Sequence, residues 1–175
     1  MKRKNMIVTL VTFTMLLFLQ ACSTTYPHLQ TVSKVDPHKY IGRWYEIARY
    51  DQFFERGCSN ISATYTLRED KKIDLVNRCT LDDGTQKSAK GIAYAVDESF
   101  SKLKVSFFRP FYGDYQIIML DEAYSYAVIG EPSREYFWIL SRTKKLDPKT
   151  QNMILSKMKS FGYDPAKLIW PTHDE

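Results

Sequence analysis

Apolar and polar residues alternate in short runs along most of this chain. In Ser59 to Leu67, Ile61, Ala63, Tyr65 and Leu67 alternate with Ser62, Thr64 and Thr66. In Lys102 to Phe108, Leu103, Val105 and Phe107 fall on one side. A period of two sends neighbouring side chains to opposite faces, which marks a half-buried strand. Further strand-like runs are Trp44 to Tyr50, Ile73 to Cys79, Ser88 to Val96, Tyr115 to Leu120, Tyr124 to Ile129 and Tyr136 to Ser141. Turn residues separate them, among them Asp82-Asp83-Gly84, Pro110 to Gly113, Asp121-Glu122 and Gly130 to Arg134. Eight strands at roughly ten-residue spacing, with no helix between them, predict a meander. Eight strands close into a barrel that holds one small ligand, and closure removes exposed sheet edges. The expected fold is therefore all-β: an eight-stranded antiparallel up-and-down β-barrel.

The period changes near the end. Asp147 suits a helix N-cap and Pro148 its first turn. Ile154, Met158 and Phe161 form one apolar stripe, and Gly162 stops the run. This predicts one C-terminal α-helix packed on the barrel wall. Ala166 to Trp170 reads as a short extended tail with Leu168 and Trp170 on one side.

The first residues follow neither period. Lys2, Arg3 and Lys4 precede an apolar run from Met6 to Leu19. That run is shorter than the roughly 20 residues of a membrane span and fits a secretory signal. Leu19-Gln20-Ala21-Cys22 resembles the lipobox of bacterial lipoproteins, with Gln20 a departure from it. The resemblance implies a signal peptide over 1–21, cleavage before Cys22 and acylation of Cys22. Ser23 then implies a lipid anchor in the outer membrane, with the domain facing the periplasm. An ordinary signal with a chance cysteine is the alternative. Residues 22–35 are polar and aperiodic and read as a lipidated tether, which leaves 36–172 as the domain.

Composition changes this picture little. The 175 residues are 44% apolar and 26% charged, suited to one globular domain. Residues 1–21 hold three basic and no acidic side chains, so removing them takes the net charge from +5 to +2. The basic balance partly belongs to the signal, and no nucleic-acid partner is expected. Cys58 and Cys79 would meet an oxidising compartment after export, so a disulfide is expected, with two buried free thiols the alternative.

In a meander, successive loops alternate between the two barrel ends. The start of the first strand, the turn after the sixth and the end of the eighth share one end. Those places hold Gly42, Trp44, Asp121, Tyr124 and Arg142. A guanidinium over the Trp44 indole would close that end, and Gly42 leaves room for the chain beneath. G-R-W-Y-E-I-A-R at 42–49 resembles the Gly-x-Trp signature of the lipocalins. D-E-A-Y-S-Y at 121–126 stands in the place of their second motif, with Leu120 for threonine and one residue more before Tyr126. I-L-S-R at 139–142 resembles their third, whose arginine packs on the first motif's tryptophan. The resemblance spans about residues 36–170 and is nearest the bacterial outer-membrane lipoprotein and apolipoprotein D branch. It implies binding of a hydrophobic small molecule, a fatty acid or lysophospholipid, for lipid storage, transport or envelope maintenance. It leaves a homodimer open.

The open mouth falls to Asp51 to Gly57, Asp82 to Gln86, Arg109 to Gly113 and Gly130 to Glu135, with Phe53, Phe54, Phe111 and Tyr112 among them. If Trp44 points inward, strict alternation brings in Glu46, Ala48 and Tyr50 and turns Arg43 and Arg49 outward. On the other strands the inward set is Ala63, Tyr65, Leu75, Asn77, Ala93, Val105, Phe107, Tyr115, Ile117, Ile129 and Trp138, with Gly91 leaving extra volume. Glu46 then needs a buried partner that the sequence does not identify. Neither His28, His38 and His173 nor any phosphate loop forms a catalytic or metal pattern, so no cofactor and no enzyme are expected. An envelope interaction protein with a filled barrel, or an enzyme acting on lipid, are the alternatives.

Overall fold

Eight strands follow one another in the sheet as they do in the chain. They are β1 (Gly42–Arg49), β2 (Cys58–Leu67), β3 (Ile73–Leu81), β4 (Gln86–Ala95), β5 (Lys102–Phe108), β6 (Phe111–Leu120), β7 (Tyr126–Gly130) and β8 (Phe137–Ser141). Each pairs antiparallel with the next, and β8 pairs with β1 to close the barrel. The structure is a computed structural model and describes residues 26–174. Residues 1–25, which include the signal and Cys22, lie outside the described residues. Tyr124, expected to open β7, instead sits in the preceding turn at φ 58°.

Two apolar layers hold the barrel. The inner one joins Val35, Tyr40, Trp44, Tyr65, Leu103, Ile117, Ile129 and Leu140. The outer one joins Ile47, Ala48, Tyr50, Met119, Val128, Phe137 and Ile139 to Ile154 and Met158. Those last two belong to α2 (Pro148–Met158), capped by Asp147, whose carboxylate accepts from the Thr150 amide at 2.9 Å. Gly162 closes the helical segment at φ 84°. A short helix that the pattern did not signal, α1 (Pro37–Tyr40), begins at an Asp36 cap.

Three expectations are corrected. First, β1 carries a bulge between Glu46 and Ala48. The extra residue, Ile47, reverses the alternation after it. Ala48 and Tyr50 therefore join the outer layer, and Arg49 points inward, only 3% exposed. Second, residues 26–35 are no free tether. Leu29 and Val35 are buried, the Val32 amide donates to the Ile117 carbonyl at 3.0 Å, and the Val35 amide to Ser99 at 2.8 Å. Third, the tail is not continuously extended. Pro165–Lys167 forms a 3-10 turn, and Ile169 alone forms a bridge, exchanging both backbone bonds with Arg49.

Candidate ligand-binding site

The closed end is built around Trp44, which is fully buried. Its indole nitrogen donates to the Tyr40 carbonyl at 2.8 Å, so α1 sets the ring's tilt. The Arg142 guanidinium lies 3.8 Å from the ring centroid. Its nitrogens also donate to the carbonyls of Arg43, Lys39, Tyr40 and Ile41 at 2.7–3.1 Å. One side chain thus ties the chain's entry to the end of β8. Gly42 sits at φ 95°, and a Cβ there would stand 3.3 Å from an Arg142 nitrogen. Asp121 folds the β6–β7 turn by accepting from the Ser125 hydroxyl at 2.9 Å and the Tyr126 amide at 3.2 Å. The Tyr124 hydroxyl accepts from the Asp36 amide at 2.8 Å. The five residues expected at this end are brought together there.

Above the plug, three tyrosines form a floor. The Tyr115 hydroxyl is 2.6 Å from that of Tyr40 and 3.1 Å from that of Tyr65. Burial pushes Tyr65 up to about 12 and raises Tyr40 and Tyr115 well above the usual phenol value. All three stay neutral, with Tyr40 and Tyr65 each bonded to Tyr115.

A cavity of about 720 Å³ opens above this floor. Glu46, Ala63, Tyr65, Leu75, Asn77, Val105, Phe107, Tyr115 and Trp138 line it, as alternation predicts. Ala93, Ile117 and Ile129 also point inward, but they are sealed in the inner core beneath it. Ala48 lies outside the wall, for the bulge reason given above. Gly91 leaves no free volume, because the Phe107 ring occupies the space of its absent Cβ. Sequence reasoning missed Glu55, Ile61 and Leu140 as lining residues. The alternating pattern held the signal for Ile61, which lies one turn of the pleat before Ala63.

Glu46 finds its partner in Arg49. The nitrogen Nε lies 3.1 Å from Glu46 Oε1 and 3.6 Å from Glu55 Oε2. The Glu46 contact is close yet misaligned for a hydrogen bond, so it is chiefly electrostatic. Arg49 also donates to the Glu55 carbonyl at 2.9 Å, and Trp138 donates to Glu55 Oε2 at 3.3 Å. Two carboxylates therefore share one guanidinium. Desolvation raises the pKa of both, and Glu55 adds to the rise at Glu46.

At the mouth, Cys58 and Cys79 form a disulfide across β2 and β3, with their Cα atoms 5.5 Å apart. Among the described residues, no group of three or more His, Cys, Asp or Glu is placed to hold a metal.

The description of a lipocalin-like domain matches residues 35–173. The chain is a lipocalin. Among its relatives, the outer membrane lipoprotein Blc of Citrobacter freundii is 42% identical over 154 residues, covering 86% of this chain and 87% of that one. The Blc lipoprotein of Vibrio cholerae is 41% identical over 155 residues, covering 87% and 91%. Among solved structures, insecticyanin from the tobacco hornworm superposes with a TM-score of 0.70 at 20% identity, covering 86% of this lipocalin and 87% of that chain. That likeness concerns the fold. Gly42, Trp44 and Arg142, the residues that carried the motif resemblance in the sequence, stand together in the plug just described.

Proposed function

We propose that this lipocalin holds one apolar chain, of a fatty acid or a lysophospholipid, inside its barrel. It does so from the outer membrane, anchored through acylated Cys22 and facing the periplasm, in lipid storage, transport or envelope maintenance. The observation that carries this reading is the open cavity of about 720 Å³. Its size lies among those of small-molecule sites, and its wall is largely aliphatic and aromatic with a few convergent polar groups. A filled barrel, the rival binding reading, does not fit such a volume. The relatives named as outer membrane lipoproteins support the location.

An enzyme acting on bound lipid is less well supported. Glu46 and Glu55 are a titratable pair in the cavity, but both are tied to Arg49. Among the described residues, neither carboxylate bonds a serine, cysteine or histidine side chain that could act as a partner in catalysis; His173 meets Glu46 only at its backbone carbonyl. Native mass spectrometry tests the binding reading. The protein is expected to retain palmitate or a lysophospholipid at micromolar concentration. Ala89→Trp, which places an indole in the cavity wall, is expected to weaken retention at least tenfold. If neither lipid binds, or if Ala89→Trp binds both unchanged, the reading fails.

A further inference from the structure

The strap formed by residues 26–35 has a direction. It begins its contact with the barrel at the closed end, where Val35 bonds Ser99 and Asp36 bonds Tyr124. It then runs up the outside of the wall past Ile117. It ends at the mouth, where Arg134 of the β7–β8 loop donates to the carbonyls of Pro27 at 2.8 Å and His28 at 3.3 Å. The described chain therefore starts on the mouth side, four residues after Cys22. Four residues span at most about 14 Å. The ten residues of β6 measure about 33 Å along the strand, and a barrel tilt of about 40° leaves about 25 Å between the two ends, well beyond that reach. An anchor at Cys22 holds the mouth near the bilayer and cannot bring the closed end there without stripping off the strap.

The same end carries an exposed apolar rim. Phe53, Phe108 and Phe111 are 76%, 76% and 70% exposed, and Phe54 and Phe107 are also exposed. Phe108 and Phe111 stack at the tip of the β5–β6 hairpin, with centroids 6.3 Å apart and planes 3° from parallel. Such a patch on a soluble domain marks an interaction surface. Its charges do not select a strongly charged partner. Arg56, Lys87, Arg109 and Arg134 are interspersed with Asp51, Asp82, Asp83 and Glu135 around the mouth, and Arg109 is the charged residue between Phe108 and Phe111. Aromatic rings with scattered balanced charge suit the interface of a bilayer.

We infer that the barrel mouth lies on the membrane that holds the anchor, with the Phe108 and Phe111 hairpin inserted at the headgroup level. Phe54, Phe107 and Phe111 belong both to the exposed rim and to the cavity lining. A lipid chain then passes from leaflet to barrel along a continuous apolar surface without crossing water. The orientation rests on the acylation of Cys22 proposed above, and it does not require any particular ligand.

The test uses the full acylated chain reconstituted in vesicles of phosphatidylethanolamine and phosphatidylglycerol with brominated acyl chains. Phe108→Trp and Glu122→Trp place reporters at the mouth and at the closed end, both at exposed positions. Emission is read as the difference from the unsubstituted chain, which removes the three native tryptophans. The reporter at 108 is expected to shift to the blue and lose intensity to bromine, at low and high salt alike. The reporter at 122 is expected to keep the emission it has without bromine. Anchored protein whose reporter at 108 is not quenched, or is quenched no more than that at 122, overturns the orientation and leaves ligand binding untouched. Protein that does not float with the vesicles overturns the anchor and the orientation together. Loss of lysophospholipid binding with quenching at 108 intact overturns the ligand reading alone.

Discussion

Arg142 serves five backbone carbonyls, those of Lys39, Tyr40, Ile41, Arg43 and Tyr124, and one indole face at once, a set that a lysine cannot reproduce. Its planar fork donates in several directions while the ring receives its face. Arg142→Lys is expected to lower stability by about 1–3 kcal/mol through unmade bonds to buried carbonyls. Trp44→Ala is expected to cost more, about 3–5 kcal/mol, because it removes the largest buried side chain. Urea unfolding followed by circular dichroism measures both. The cavity triad behaves differently. The carboxyl of Glu46 has a folded pKa above its unfolded value of about 4.5. Between those two values the folded state binds the extra proton. Stability must therefore fall as pH rises through that window. Glu46→Gln is expected to flatten this fall, seen as melting temperature against pH from 4 to 8. Arg49→Met removes the guanidinium that two buried carboxylates share and is expected to cost about 3–5 kcal/mol at neutral pH. The plug was legible in the sequence because its residues stand at fixed places of a meander. The triad was half legible. A glutamate and an arginine three apart in a strand share a face only if the strand is bulged, so their very spacing was the signal.

At the level of elements, alternation located all eight strands and missed what alternation cannot encode. A bulge adds a residue without altering composition, and it inverts every side chain that follows. That one insertion at Ile47 accounts for the misplacing of Ala48, Tyr50 and Arg49 together. Another bulge, between Ile117 and Met119, does the same on β6 and sends Ile118 and Met119 outward. Helix α2 was legible because a cap, a proline and an apolar stripe agree. Segment 26–35 was not, because its few buried residues, Leu29 and Val35, follow no period. The disulfide joins residues 21 apart. Replacing both cysteines by serine is expected to cost about 3 kcal/mol, from the closed loop it removes in the unfolded chain. Thermal unfolding with and without reductant measures it. The unsubstituted protein should move to the melting temperature of the double variant once reduced.

For the whole molecule, the two apolar layers divide the labour. The outer layer fixes α2 and the strap against the wall, and the inner layer seals one end. The space proposed for a ligand lies inside the barrel above that seal, so Ala89 on the cavity wall and Ile154 in the outer layer bear on different properties. Ala89→Trp should therefore change lipid retention with little change in melting temperature, whereas Ile154→Ala should lower stability by about 2–5 kcal/mol and leave retention intact.

The tyrosine floor gives the protein an internal indicator. Of twelve tyrosines, Tyr40, Tyr65 and Tyr115 are held neutral deep in the barrel. In the unfolded chain every phenol ionises near pH 10. The folded state must therefore lose stability as alkali passes that value, since ionisation favours the open chain. In an ultraviolet titration at the phenolate band, the exposed rings should turn over first and reversibly. The floor should stay silent until the barrel opens and then ionise in one step. That late rise in absorbance would time the opening of the closed end without any added dye.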